Sequence, residues 1–162
     1  MTTKDALFYT NSGIDKTNKG DFKGAIEDFD KSLELKPDWA LTYFSKAIAF
    51  HNLRRLEDAY ENYTRAVECD DKMIDAYYNR AHVMLLDNKS DEDVLKKALS
   101  DLEKSYELDN KFIDAMYYAA VVKMKLKDYN GAVEVLDKVL EIEPDAIHSR
   151  ALKKLILNKY LK

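Results

Sequence analysis

The chain is 162 residues long, enough for one ordinary domain, and carries a formal charge of −4 from 26 basic and 30 acidic residues. Only four residues are Gly and two are Pro, about a third of average usage, which excludes the many tight turns of a sandwich or barrel. A charged fraction of 35% beside 46% apolar residues suits helices with one buried and one solvated face, and the acidic balance excludes the basic stripe of a nucleic-acid binder.

The first residues, MTTKDALFY, show no basic region followed by a long apolar run, so no secretory signal is expected. Helical periodicity begins at Ala6. Between Ala40 and Leu53, small or apolar residues recur at Ala40, Tyr43, Ala47 and Phe50, the spacing of a helix face. After Arg54-Arg55 the period resumes with Leu56, Ala59, Tyr63 and Ala66. A second helix pair of the same kind follows, with the acidic segment Leu86 to Asp93 between its members. Ser90 and Asp93 there read as a helix cap with acids in the first turn; an EF-hand is rejected because the central Gly and the ligand spacing are missing. After Pro144 a last helix runs to about Leu161, with Ile147, Ala151, Leu152, Leu155 and Ile156 on one side and Arg150, Lys153, Lys154, Lys159 and Lys162 on the other. It reads as a cap that covers the fourth copy, against an alternative membrane-surface or acidic-partner helix. Leu157 and Leu161 fall off that stripe, as a small contact surface. No stretch approaches the roughly 18 apolar residues of a membrane span.

The copies are related by a fixed period. Small residues recur at Gly13, Ala47, Ala81 and Ala120, and again at Ala25, Ala59, Ala98 and Ala132. The spacing is 34 residues except for one step of 39, so five extra residues lie between Ala81 and Ala98, as an inserted loop. Asn18-Lys19-Gly20-Asp21-Phe22 is echoed by Lys125-Leu126-Lys127-Asp128-Tyr129, and Leu35-Lys36-Pro37-Asp38 by Ile142-Glu143-Pro144-Asp145. This pattern resembles the tetratricopeptide repeat family, whose aromatic, small, aromatic and Pro positions are met by Tyr9, Gly13, Ala25, Phe29 and Pro37 in the first copy. The resemblance implies an all-α, right-handed α-α superhelix. It consists of repeats at about 6–39, 40–73, 74–112 and 113–146 with a capping helix at about 147–161, in a single domain over 1–162.

Chemistry is sparse. His51, His82 and His148 are scattered, and no His or Cys pair has zinc-ligand spacing, so no metal or cofactor is expected. Cys69 takes the place held by Leu35, Leu108 and Ile142 and reads as a small buried hydrophobe; a lone cysteine suits a reducing, cytoplasmic setting. Phosphate loops and nucleophile elbows are lacking, and the chain reads as no enzyme.

The family resemblance implies a scaffold that holds a partner peptide or helix in a groove lined by the first helix of each repeat. Carried over, those positions are Phe44 and Ile48, then Asp75, Tyr78, Asn79 and His82, then Asp114, Tyr117 and Val121. They describe an aromatic and aliphatic floor with an acidic edge, fitted to an apolar segment bearing Lys or Arg. The alternative reading is that the same aromatics fill space between neighbouring helices. The Lys-Asn-Asn-Lys-Arg clamp for chaperone tails does not match: Thr10, Ile14, Ser45, Asp75 and Asn79 stand at its positions in one frame, and only Asn79 agrees in the other. The competing reading is a structural solenoid that self-assembles through its last helix or convex face.

Overall fold

The computed structural model describes residues 5–86 and 91–162. Nine helices occupy them: α1 (Ala6–Asn18), α2 (Phe22–Leu35), α3 (Ala40–Asn52), α4 (Leu56–Cys69), α5 (Ile74–Leu86), α6 (Glu92–Leu108), α7 (Ile113–Lys125), α8 (Tyr129–Ile142) and α9 (Ile147–Lys159). No strand occurs among the described residues. The chain divides into two compact units, Met1–Val83 and Met84–Lys162, with the division inside α5.

In the first unit α1 packs on α2, α2 on α3, and α3 on α4. The periodic small residues allow this approach. A Cβ placed on Gly13 would lie 2.5 Å from the ring of Phe29, so only glycine lets α1 and the buried Phe29 of α2 meet there. Ala47, Ala59 and Tyr63 are fully buried with Phe50 and Val83 around the α3–α4 crossing. This unit also buries polar groups. The hydroxyls of Thr10, Ser32 and Thr42, on three different helices, lie within hydrogen-bond reach, with Thr10 to Ser32 at 2.8 Å and Thr10 to Thr42 at 2.7 Å. Ser32 also donates to the Ala6 carbonyl at 2.9 Å. Buried hydroxyls so paired specify register at little cost. Asp28 is buried too, accepting from Ser12 at 2.6 Å and paired with Lys16 at 2.7 Å. Burial pushes its pKa up, but these two hydrogen bonds and the lysine charges outweigh burial and hold it below the ordinary carboxylate value.

The second unit is packed with aliphatic side chains. Here α6 packs on α7, α7 on α8 and α8 on α9, around Met116, Ala120, Ala132, Val135, Leu136, Val139 and Ile156. The covering side of α9 differs from the expected one. Ile147 is 74% exposed and Leu155 48% exposed, and Ala151 is exposed as well. The helix turns Ser149, Leu152 and Ile156 inward, and Leu161, expected on a free contact surface, packs against the same cluster. Both Ile147-Ala151-Leu155 and Ser149-Leu152-Ile156 have helical spacing, and the first is the more apolar. Ile156, fully buried, joins the α7–α8 cluster with Leu152 and Leu161 beside it, and on the α8 side Lys153 bonds Asp137.

The five extra residues of the third copy are not all loop. Helix α6 has 17 residues where α2, α4 and α8 have 14, and Ala98 lies three residues deeper in its helix than Ala25 does in α2. Three of the five therefore extend α6 by most of a turn. Its N-cap is Asp91, which accepts from Val94 N–H at 2.9 Å, with Glu92 and Asp93 in the first turn; Ser90 and the rest of 87–90 lie outside the described residues.

Asp21 and Asp128 cap α2 and α8 by accepting from the N–H of Gly24 and Gly131, each at 3.0 Å. A Cβ at either glycine would fall within 2.3 Å of that capping carboxylate as it is placed here, at cap ψ of 68° and 73°, whereas Asp91, at ψ of 172°, caps α6 through Val94 without a glycine. At the matching positions of the second copy stand Arg55 and Asp58, and the cap gives way to an ion pair with Arg55 Nε donating to Asp58 at 2.8 Å. The turn just before holds Gly20, Arg54 and Lys127 at φ of 80°, 60° and 65°. Only the first is a residue for which left-handed backbone is free of strain.

Candidate functional site

Two cavities line the first-helix side, one within each unit. The first, of about 430 Å³, has a wall of Ile48, His51, Asn52, Arg54, Tyr63 and Asn79. It brings together Ile48 of α3 and Asn79 of α5, two of the residues expected in a groove. Phe44 is half-buried with its ring 5.8 Å from that of Tyr63. Tyr78 stacks on His82 at 6.4 Å and 23° between planes, and His82 lies 5.8 Å from His51. Asp75 is exposed, and its backbone carbonyl accepts from the Asn79 amide at 2.7 Å.

This wall has two features that periodicity did not reveal. Tyr63 is fully buried, yet its hydroxyl has no hydrogen-bond partner among the described residues. Burial pushes its phenol pKa far up, so it stays protonated. Burial lowers the pKa of both His51 and His82, and the charges of His82 and Arg54 lower that of His51 further. Both rings are therefore neutral near pH 7. His51 and Asn52 stand three and four residues after Ile48 on α3, so their place beside it was legible from helical spacing. Tyr63 sits on the core stripe of α4, where nothing marks a hydroxyl left unpaired.

The second cavity, of about 410 Å³, lies where α7 meets the start of α9. Asp114, Tyr117 and Tyr118 line it from α7, with Glu143, Asp145 and His148 opposite. The Tyr117 ring is 5.6 Å from Tyr118 and 6.4 Å from His148. Asp114 and Tyr117, both expected groove residues, share this cavity. Val121, expected beside them, is half-buried and does not line it. Three carboxylates beside two tyrosine rings favour a cation.

Cys69 is only partly buried, and its counterparts Leu35 and Ile142 are 57% and 41% exposed, so the position is no core site. Each ends a second helix, where the stripe has rotated out of the packed interface. Burial, with Asp38 adding to it, raises the Cys69 pKa, which disfavours a reactive thiolate. Among the described residues no three His, Cys, Asp or Glu side chains are placed to hold a metal ion, and no helix is long and apolar enough to cross a membrane.

Residues 113–162 match the family model for the Fis1 C-terminal tetratricopeptide repeat, and residues 16–38 match a tetratricopeptide repeat model. An uncharacterised protein of Methanocaldococcus jannaschii is 36% identical over 76 residues, 47% of this chain and 88% of that protein. DnaJ homolog subfamily C member 7 of Mus musculus is 31% identical over 143 residues, 83% of this chain; the chain spans 28% of that protein's length. Among solved structures, MamA superposes with a TM-score of 0.84 at 24% identity, over 94% of this chain and 81% of that one. The first tetratricopeptide repeat domain of Spaghetti (RPAP3), bound to an HSP90 peptide, gives 0.69 at 20% identity, over 78% of this chain and 97% of that one. The period, the helix pairs and these matches agree: the chain belongs to the tetratricopeptide repeat family, whose fold is a scaffold for protein–protein interaction.

Proposed function

We propose that the chain is a peptide-binding adaptor that uses the first-helix faces of its repeats. In the first unit the face is Phe44, Ile48, Asp75, Tyr78, Asn79 and His82; in the second it is Asp114, Tyr117 and Val121. The partner is an apolar segment, extended or helical, that places a Lys or Arg at the second cavity. The observation that carries this reading is the grouping there of Asp114, Glu143 and Asp145 with Tyr117 and Tyr118. A lysine head over tyrosine faces and beside carboxylates gains both ion pairing and cation–π attraction. The peptide held by the structurally similar RPAP3 domain, and the chaperone-associated names among the relatives, support a peptide ligand. The test is selection from a displayed peptide library, followed by affinity measurement. Selected peptides should be apolar with a basic residue, and Tyr78→Ala with Tyr117→Ala should weaken them by about a hundredfold, the scale of two lost aromatic contacts. Asp114→Asn with Glu143→Gln should cost about tenfold, mostly for peptides that carry the basic residue. Selected peptides that ignore both pairs of substitutions would place the binding face elsewhere.

A second reading draws on a separate observation. The large apolar residues left exposed concentrate near the two chain ends, at Leu7 and Phe8 and at Ile142, Ile147, Leu155 and Leu157. That distribution favours self-association through α9, and sedimentation of Ile147→Asp, Leu155→Asp against the unaltered chain decides it.

A further inference from the structure

We infer that the outer side of α9 is a docking surface for an anionic membrane interface, on which the chain sits at the level of the lipid headgroups. The inference is independent of the adaptor reading. A helix that ends a solenoid serves purely as a cap when its outer side is polar. Here that side is apolar and basic at once. Ile147, Ala151 and Leu155 form a row at four-residue spacing, and all three are exposed. Arg150 and Lys154 form the row beside it, Lys159 follows Leu155 one turn on, and Leu157 is exposed beyond Lys154. Residues 146–162 hold five basic residues and no acidic one, in a chain whose formal charge is −4. Lys153 is paired with Asp137, and Arg150 with Asp145 just before the helix. Among the described residues Lys154, Lys159 and Lys162 form no ion pair. The uncompensated charge therefore lies in the last turns of α9, away from Glu143 and Asp145.

The cations decide the occupant. A second copy that met this side through its own α9 would bring like charges together, which opposes that pairing despite the exposed aliphatics. A partner helix binds in a groove, whereas the outer side of one helix is a ridge. A headgroup layer deforms around a ridge and admits aliphatic side chains to a depth of about 5–10 Å. It also offers phosphates to lysines that reach out beside an apolar row. The ridge is held firmly in place. Ile156 is buried against the α7–α8 cluster, and the Tyr160 ring stacks on Tyr129 of α8 at 4.5 Å and 6° between planes. The helix can therefore cap the last repeat with one side and meet lipid with the other.

Flotation of the full chain with vesicles tests this, using phosphatidylcholine alone and phosphatidylcholine mixed with phosphatidylglycerol. The chain should float with the mixed vesicles and not with the neutral ones. It should be released near ~1 M salt, where screening confines charge interactions to about 3 Å. Lys154→Gln with Lys159→Gln should weaken binding by about twenty-five-fold, near fivefold for each cation lost. Ile147→Ser with Leu155→Ser should weaken it by about tenfold or more, because the aliphatic contact with the acyl boundary is lost. The melting temperature should not move in either variant, since these side chains lie outside the buried cluster. Lys19→Gln with Lys72→Gln, which removes two exposed cations of the first unit, should leave binding unchanged. Failure to float with the mixed vesicles, equal flotation with neutral ones, or an equal loss in the first-unit variant overturns the inference. A dimer that Ile147→Asp with Leu155→Asp dissolves, in a chain that ignores vesicles, overturns it in favour of a second copy. Capture by poly-L-glutamate without vesicle binding overturns it in favour of an acidic protein.

Discussion

The two units solve the same packing problem with different chemistry. The first buries a hydroxyl network across α1, α2 and α3 and a carboxylate, Asp28, held by Lys16 and Ser12. The second fills its interior with Val135, Leu136, Val139 and Ile156. Ser32 of the first unit and Val139 of the second stand at corresponding places in their repeats, both fully buried. The cavities differ in the same manner, one walled by donors around Arg54, the other by carboxylates around tyrosines. The lesson is that the repeat constrains volume at the helix crossings and leaves polarity to be settled locally, provided every buried polar group finds a partner. The Tyr63 hydroxyl, buried without a partner among the described residues, breaks that proviso.

The sharpest way to break the comparison is through its aliphatic side. Ile156→Ala should destabilise the protein by about 3 kcal/mol, as a buried isoleucine truncated to leave a cavity does, whereas Leu155→Ala, one residue away on the exposed side, should change stability by less than about 0.5 kcal/mol. Urea unfolding of both variants measures the difference, and equal losses would mean that α9 is rotated from its described position.

On the polar side, Thr10→Val keeps the volume and removes the hydroxyl shared by Ser32 and Thr42. A loss of about 1–2 kcal/mol is expected from the unfolding midpoint, since two buried hydroxyls lose a partner. A neutral result would show that Ser32 and Thr42 satisfy each other across their 3.4 Å separation. The left-handed turns give a smaller, opposite effect. Lys127→Gly relieves a positive φ and should stabilise by up to about 1 kcal/mol. Arg54→Gly should gain as much in stability, since it relieves a φ of 60° in the same way.

The smallest effect is in pH. The folded pKa values of His51 and His82 lie below the ordinary value near 6.5, so the unfolded chain binds these protons first. Stability is full above that value and declines as pH falls from it toward the lowered folded values. Asp28 acts in a separate, more acidic window: its stabilisation is present above the ordinary carboxylate value and is lost as pH falls through its lowered folded one. Thermal melts of the unaltered chain and of His51→Gln between about pH 7 and pH 5 should converge if the histidine carries the slope.

Sequence alone determined the period, the helix pairs and the family. Each rests on residues that are nearly forced: Gly13 because a Cβ would enter the Phe29 ring, Ala47 and Ala59 because the helices cross there, Gly24 because a Cβ would meet the Asp21 carboxylate that caps its N–H. Such positions repeat because the steric demand repeats. The tertiary structure decided what steric demand leaves free. It turned α9 so that Ile156 rather than Leu155 is buried, because Ile156, Leu152 and Leu161 together meet the α7–α8 cluster, a match that helical spacing on α9 alone does not reveal. It put three of five inserted residues into α6, because Asp91 offers a cap one turn earlier. It also gathered Arg54, Tyr63 and Asn79 from three segments around one cavity. Periodicity assigns a face to each helix; only the packing of one helix against another decides which side chains from different faces meet.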